Sequence, residues 1–436
     1  MFRGHLFDRD EYPGQPRVLF VGLPLSSHTH SWIDLIDGAG LNIRLFALPP
    51  DIPPVEWGVK TYLTGLTPPV RLDAGTRHKL YLTNNVMTPL VWLWDQSLSR
   101  FSRLNSGFFH KWLVDTSEVF QPNIVPQSLA WVIDRWRPTI VHTLGFEPAS
   151  YLYHTARKYV RTKDNKPVWV AQVRGGPDFA LYRFLPGWFE KIANVLRDCD
   201  QFIADNNENY QLAQAMGLQS EKKSSLGVVP GTGGIDVAGL SKCWDGLPSR
   251  RERVILWPKA YEAPSSKALP VLEALKLIWN KIKPCRVQML WVVQSEIQMW
   301  LETLPKEIRE SCEVYDRMSR DFVLSLMAKA RVMLAPSLTD GVPNTMLEAM
   351  ASGAFPIVSP LNTITPIVED EKNVLFARNL YPSELAKAME RAMNDDTLID
   401  SAAERNLELV RRIGDRQAIR MRVINYYKAL ASKIAG

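Results

Sequence analysis

Residues 331–359 read RVMLAPSLTDGVPNTMLEAMASGAFPIVS. An apolar run, Arg331–Ala335, gives way to a polar loop, a segment with apolar residues at helical spacing, Gly353, and a second apolar run, Phe355–Ser359. Pro343 suits a first helical turn, where its missing N–H would have had no partner. Gly353 suits the left-handed residue that ends a helix. The stretch predicts strand, loop, helix from about Pro343 to Ser352, stop and strand, the repeating unit of a parallel sheet covered by helices. Chemistry gathers at the start of that helix. Gly341 permits close backbone approach, and the first-turn N–H groups lack helical acceptors and carry the positive end of the helix dipole, a seat for a phosphate or sugar oxygen. Asp340 stands just before this turn, where a carboxylate accepts hydrogen bonds from sugar hydroxyls; Glu348 follows on the helix, one turn beyond Asn344.

The same rhythm extends in both directions. Upstream, Arg17–Val21, Asn42–Leu48, Thr139–His142, Val168–Gln172 and Gln201–Ala204 are short apolar runs separated by segments able to hold helices, the first being Ser31–Ala39. The pattern pauses over Gly231–Arg253, a Gly-, Pro- and charge-rich stretch that places a linker at 237–252. It resumes with strands Val254–Trp257, Gln288–Val293, Arg331–Ala335 and Phe355–Ser359, and helices Ala268–Ile282, Arg320–Lys329 and Ser383–Met393. Two α/β units follow, residues 1–236 and 253–415, each a doubly wound sheet. Ligands of such sheets bind beyond the carboxyl ends of the strands, so the loops after strands are the places to search.

Composition narrows the classes. A chain of 436 residues exceeds one ordinary core and suits two domains of about 150–200 residues. Lys and Arg number 52 against 46 Asp and Glu, a net charge of +6 that suits anionic ligands; with no basic run, nucleic acid is not an expected partner. The four cysteines, Cys199, Cys243, Cys285 and Cys312, are widely spaced with no zinc-like pairing, and residues 1–16 are polar where a signal peptide needs an apolar core. No stretch approaches the roughly 18 apolar residues that span a bilayer. These features lead to the expectation of a cytoplasmic protein without a metal. Asp8-Arg9-Asp10 imitates a metal-binding pair but has no strand before it, and neither G-x-G-x-x-G after a strand nor a P-loop occurs.

The D-x7-E pattern from Asp340 to Glu348, followed by Ala-Met-Ala-Ser-Gly and a strand, resembles the E-x7-E signature of family 4, "group 1" retaining glycosyltransferases. That resemblance runs along most of the chain and implies a GT-B fold: two Rossmann-like domains facing a central cleft, the first on the acceptor side with the terminal helix 416–436 packed back on it, the second binding a nucleotide sugar. It implies that Asp340 lies beside the donor sugar, that Gly341, Val342, Pro343, Asn344 and Thr345 contact sugar and phosphate, and that Glu348 binds the ribose. Asp340 stands where most members carry Glu, one methylene longer. Lys259 and Lys267, after the strand Val254–Trp257, resemble the family's two diphosphate-facing cations, with Lys259 in place of Arg. Cations so placed stabilise a departing diphosphate without a metal.

In the first domain, His142 resembles the first histidine of the family's V-H-x-H segment, while Leu144 replaces the second; packing and function are both open to His142. Arg174-Gly175-Gly176-Pro177-Asp178 resembles the H/R-G-x-D loop lining the cleft, although Asp178 equally suits a helix cap. Gly22 and the loop Leu23–His30 occupy the place of an acceptor loop, with His28 and His30 as candidate bases or donors. Trp92–Trp112 interleaves aromatics with Arg100, Arg103 and Lys111, which suits either buried packing or a peripheral membrane contact. The expected reaction moves a hexose-type sugar from a nucleotide diphosphate sugar to a hydroxyl of a glycan, lipid-linked glycan or other glycoconjugate, with retention. No cofactor, no protein nucleophile and no metal are expected. Other readings of the same pocket are a nucleotide-sugar epimerase or hydrolase, and a binding scaffold without turnover.

Overall fold

The computed structural model describes residues 7–54, 56–64, 80–83, 124–162, 166–175 and 177–435. The aromatic segment Trp92–Trp112 and Gly176 lie outside them.

Two wholly parallel sheets form the framework. The first contains β1 (Arg17–Gly22), β2 (Asn42–Ala47), β3 (Lys60–Leu63), β4 (Leu80–Leu82), β5 (Ile140–Leu144), β6 (Val168–Gln172), β7 (Gln201–Ala204) and β8 (Lys223–Val228), in the order β4-β3-β2-β1-β5-β6-β7-β8. The second contains β9 (Val254–Trp257), β10 (Arg286–Met289), β11 (Cys312–Val314), β12 (Val332–Ala335), β13 (Phe355–Val358) and β14 (Leu375–Phe376), in the order β11-β10-β9-β12-β13-β14. The strands read as continuous apolar runs because both faces are covered. Along β1, Leu19 and Val21 enter one core while Val18 and Phe20 enter the other. Along β9, Ile255 and Trp257 pack on one side of the second sheet and Val254 and Leu256 on the opposite side. In both sheets the order reverses at the middle, between β1 and β5 and between β9 and β12, which opens a crevice at the carboxyl ends of those strands.

Several boundaries differ from the sequence expectation. The first helix spans Ser27–Asp34, not Ser31–Ala39, so His28 and His30 sit on its opening turns and not in a free loop. β10 stops at Met289 because Trp291 takes a positive φ of 64°, which turns the chain out of the strand direction. The polar stretch 237–252 contains a helix, Val237–Lys242, capped by Asp236, whose carboxylate accepts from Gly239 N–H at 2.9 Å. Val237 and Leu240 are buried with the core of the second sheet.

The chain crosses between the sheets twice, and the two crossings are bonded to each other. Ile235 N–H donates to Gly414 O at 2.9 Å, and Arg416 N–H donates to Ile235 O at 3.0 Å. Gly234 (φ +87°) makes this approach possible: a Cβ there would lie 2.5 Å from Gly414 O. After the second crossing the helix Arg416–Ala435 returns to the first sheet. Tyr427 is buried there, its hydroxyl accepting from Trp32 Nε1 at 3.0 Å and lying 2.5 Å from His142 Nδ1. Arg416 clamps the start of this helix to Ser31 Oγ (2.9 Å), Ser31 O (2.6 Å) and Thr232 O (3.1 Å).

Tyr427→Phe removes one hydroxyl and strands two buried partners, each costing about 1–3 kcal/mol. The variant should unfold at lower urea concentration, its unfolding free energy reduced by about 2–6 kcal/mol in the transition that reports the first sheet; an unchanged midpoint would show that the hydroxyl contributes nothing.

Candidate active site

The helix that the sequence placed at Pro343–Ser352 spans Asn344–Ala351, with Pro343 as its extended N-cap and Gly353 (φ +76°) after it. Met346 N–H and Leu347 N–H bond to Pro343 O, at 3.0 and 3.3 Å, so the first-turn N–H groups of Asn344 and Thr345 come before any helical acceptor. Val342 is buried beneath this turn, Asn344 Oδ1 accepts from Thr232 Oγ1 at 3.1 Å, and Thr345 Oγ1 is sealed from solvent with no partner.

Asp340 is braced from both sides. Its Oδ1 accepts from Gly341 N–H at 2.9 Å, its carbonyl accepts from Thr363 Oγ1 at 3.0 Å, and its Oδ2 forms an ion pair with Lys259 Nζ. Lys259 follows β9, so two strands adjacent in the sheet deliver the pair. Burial acts to lower the Lys259 pKa, but the charge and hydrogen bond of Asp340 outweigh it and hold the ammonium above its ordinary range. Glu348 is buried and accepts from Arg320 Nη2 at 2.6 Å. Burial raises the Glu348 pKa and Arg320 opposes the rise. Lys267 instead pairs with Glu262 at 3.2 Å, while its backbone N–H donates to Asn379 Oδ1 at 2.8 Å, so Asn379 and Glu262 shape the loop that carries it.

From the first sheet, His28 and Arg174 meet these groups. His28 is solvent-accessible yet recessed in the cleft; desolvation first, then the charge of Arg174, pull its pKa down to about 4, with Asp340 opposing and Lys259 and Arg320 adding to the fall. His28 is thus neutral at ordinary pH. Arg174 is desolvated enough that its pKa falls to about 9, and its Nε and Nη2 are sealed without a hydrogen-bond partner. Gly231 backs it: a Cβ there would touch Arg174 Cβ at 3.3 Å. A cavity of about 240 Å³ adjoins Asp340, walled by Gly175, Arg183, Glu208, Leu338 and Thr363.

The remaining sequence candidates lie elsewhere. His142, expected as a catalytic group, is wholly buried in β5 against Tyr427 and Phe20, out of reach of any substrate; burial, then the Arg174 charge, hold it well below its ordinary pKa. His30 turns away from the cleft, with Nε2 2.6 Å from Pro24 O and its ring stacked on Trp57 at 4.1 Å. Asp178 ties two loops of its own domain, accepting from Phe146 N–H at 3.0 Å; burial pushes its pKa up to about 6. Gly22 serves packing, since a Cβ there would meet Thr29 Oγ1 at 3.3 Å and Leu144 Cβ at 3.4 Å. Among the described residues no group of three or more His, Cys, Asp or Glu side chains gathers as a metal ligand set, and no helix is long and apolar enough to cross a membrane.

Two parallel, doubly wound domains with a site where the strand ends converge define the GT-B class, and solved structures of that class match over nearly the whole chain. Anabaena HepE in complex with UDP and glucose is 12% identical, with 94% of this chain and 98% of that chain covered at a TM-score of 0.60. Sucrose-phosphate synthase from Thermosynechococcus elongatus is 12% identical, covering 96% and 100% at 0.64. Staphylococcus aureus MnaA bound to UDP is 12% identical, covering 95% and 98% at 0.57. Residues 252–395, the segment that holds Lys259, Asp340 and Glu348, match the family described as glycosyl transferases group 1. The chain has the GT-B fold, and within it residues 252–395 match the group 1 glycosyl transferases. No curated protein matches it by sequence.

Lys259→Met leaves the Asp340 carboxylate without its counter-charge, and hydrogen bonds to charged groups contribute about 1.5–3 kcal/mol. Thermal unfolding of the second domain should shift down accordingly, and Lys259→Arg should recover part of the loss.

Proposed function

We propose that this enzyme transfers a hexose-type sugar, with retention, from a nucleotide diphosphate sugar to a hydroxyl of a glycan, lipid-linked glycan or other glycoconjugate. The observation that carries the reading is the braced Asp340 at the head of the helix Asn344–Ala351, with Glu348 buried further along the same helix. In this reading the ribose hydroxyls donate to Glu348, which also accepts from Arg320 Nη2, the charge that opposes the rise burial gives its pKa. Asp340 accepts from the sugar hydroxyls. The segment Gly341 to Thr345 lies along the sugar and diphosphate, with the N–H groups of Val342, Asn344 and Thr345 and the Lys259 and Lys267 ammonium groups as the donors to the phosphates.

Charge on the leaving diphosphate grows as the glycosidic bond breaks, and donors aimed at that charge in a recessed site lower the barrier more than they would in water. Arg174 supports the assignment from the opposite wall: a desolvated guanidinium with two unpaired N–H groups is costly to hold and favours an anion across the cleft. The acceptor hydroxyl enters from the first domain, where neutral His28 offers a hydrogen-bond acceptor. With His142 sequestered, no nucleophile–base pair faces the donor among the described residues, which suits same-face attack assisted by the departing phosphate. The reading requires no resident cofactor or metal.

A panel of UDP-, GDP-, ADP- and dTDP-sugars, tested for binding and slow hydrolysis with wild type and Glu348→Ala in parallel, checks the proposal. One donor should bind and turn over, and Glu348→Ala should weaken it by about 1.5–3 kcal/mol for each charge-assisted hydrogen bond lost. Equal affinity of the two proteins in calorimetry removes Glu348 from the donor site, and binding of no donor removes the assignment as a whole.

A further inference from the structure

Where the two domains touch beside Asp340, three residues from three separate loops meet with no space between them. Gly175, after β6, and Gly341, before the donor helix, face each other across the cleft, and Asp205, after β7, lies between them. A Cβ on Gly341 would stand 2.3 Å from Asp205 Oδ2 and 2.8 Å from the Gly175 Cα; a Cβ on Gly175 would stand 2.9 Å from both Asp205 Oδ2 and the Gly341 Cα. Asp205 is 4% exposed and, among the described residues, makes no ion pair. Its Oδ1 is satisfied within its own domain, accepting from Asn206 Nδ2 and Asn209 Nδ2, each at 2.9 Å. Its Oδ2 is the atom presented to the second domain. The charged or titratable groups around it are Asp340 across the seam, Arg174 from the loop after β6, and Tyr210 from the helix that follows Asp205 itself.

We propose that Asp205 is a positioning residue of the transfer reaction: its carboxyl group, wedged between Gly175 and Gly341, seats the Gly341 turn and so fixes Asp340 in the cleft. An ionised carboxylate at this point would face the Asp340 carboxylate across the seam, with Arg174 as the nearby cation of its own domain. Burial, opposed by the Asn209 and backbone hydrogen bonds and reinforced by Asp340, pushes its pKa up to about 7. Opening the cleft removes the wall supplied by Gly341 and Asp340 and lets the carboxyl return toward its ordinary range, so closure takes up a proton. Because the closed-state pKa is the raised one, the closed form is favoured at low pH, loses ground as pH rises toward about 7, and changes no further above it. His28 titrates at about 4, below this window, and Asp178, at about 6, bonds only within the first domain, so neither substitutes for Asp205 in setting the distance between domains.

The proposal rests on the glycosyltransferase reading of the site, but its first readout does not need turnover. Spin labels on Glu221→Cys and Lys306→Cys, one exposed position in each domain, in a Cys243→Ser background report the interdomain distance. In the otherwise unchanged chain the short-distance population should fall between pH 5 and pH 7 and stay level to pH 8.5. Asp205→Asn, of the same shape and never charged, should hold the short distance throughout, whereas Asp205→Ala should lose it at every pH. Where a donor is hydrolysed, Asp205→Asn should keep kcat/KM within about threefold of wild type at pH 6 and remove its decline toward pH 8, and Asp205→Ala should lower it at both. A distance distribution in the Asp205-containing protein that is the same at pH 5 and pH 8, or an Asp205→Asn variant that follows the wild-type profile, overturns the proposal. A pH-dependent distance with no donor turned over by any variant instead overturns the reading of the site and leaves the seam intact.

Discussion

The joint at Ile235 sets the terms for everything else in this molecule. The chain leaves the first sheet there and comes back at Asp415, and the two crossings share backbone hydrogen bonds, from Ile235 to Gly414 and from Arg416 to Ile235. Two crossings bonded side by side resist sliding of one domain past the other better than a single crossing would. The carboxyl ends of β1, β5 and β6 on one side, and of β9 and β12 on the other, therefore meet in a fixed register. Gly234 is a condition of that joint, because the carbonyl of Gly414 occupies the place of its side chain.

Opposed in this way, the strand ends concentrate charge. Lys259 and Arg320 come from the second domain and Arg174 from the first, and their fields converge on His28. Two of the three cations are matched by carboxylates: Lys259 by Asp340 and Arg320 by Glu348. The Arg174 Nε and Nη2 have no hydrogen-bond partner, so the cleft holds an excess of positive potential where a diphosphate would lie. The same confinement turns His28 neutral and makes the carboxyl of Asp205 reluctant to ionise. The chemistry of the site is in this sense a product of how closely the domains approach, since each desolvation requires a wall from the opposite domain.

Local sequence alone determined the parts whose physics is local. Period, apolar run length and the Pro343 and Gly353 punctuation specify the interior strands β6, β7 and β9 and the donor helix to within a residue or two at each end, because buried parallel strands must be apolar along their whole length. The D-x7-E spacing likewise marks Asp340 and Glu348, since one short loop and little more than one helical turn hold both. The short or polar strands β3, β4, β8, β11 and β14 escaped notice: with two to six residues each, and all but β3 at a sheet edge, they have too little pattern to be distinguished from loop.

What only the tertiary structure decided is which side chain meets which. Arg320 reaches Glu348 across 28 residues, Lys259 reaches Asp340 across 81, and Tyr427 closes over His142 across 285. No spacing rule encodes such distances. His142 carries a sequence context shared with cleft histidines, yet the returning C-terminal helix makes it part of the core. Asp205 follows an ordinary strand, yet the Gly341 turn makes it the buried carboxyl of the domain seam. The sequence determines the elements, because their hydrogen bonds and apolar faces are short-range; the roles of buried polar groups depend on their partners, and those are assembled only when the two sheets have closed on each other.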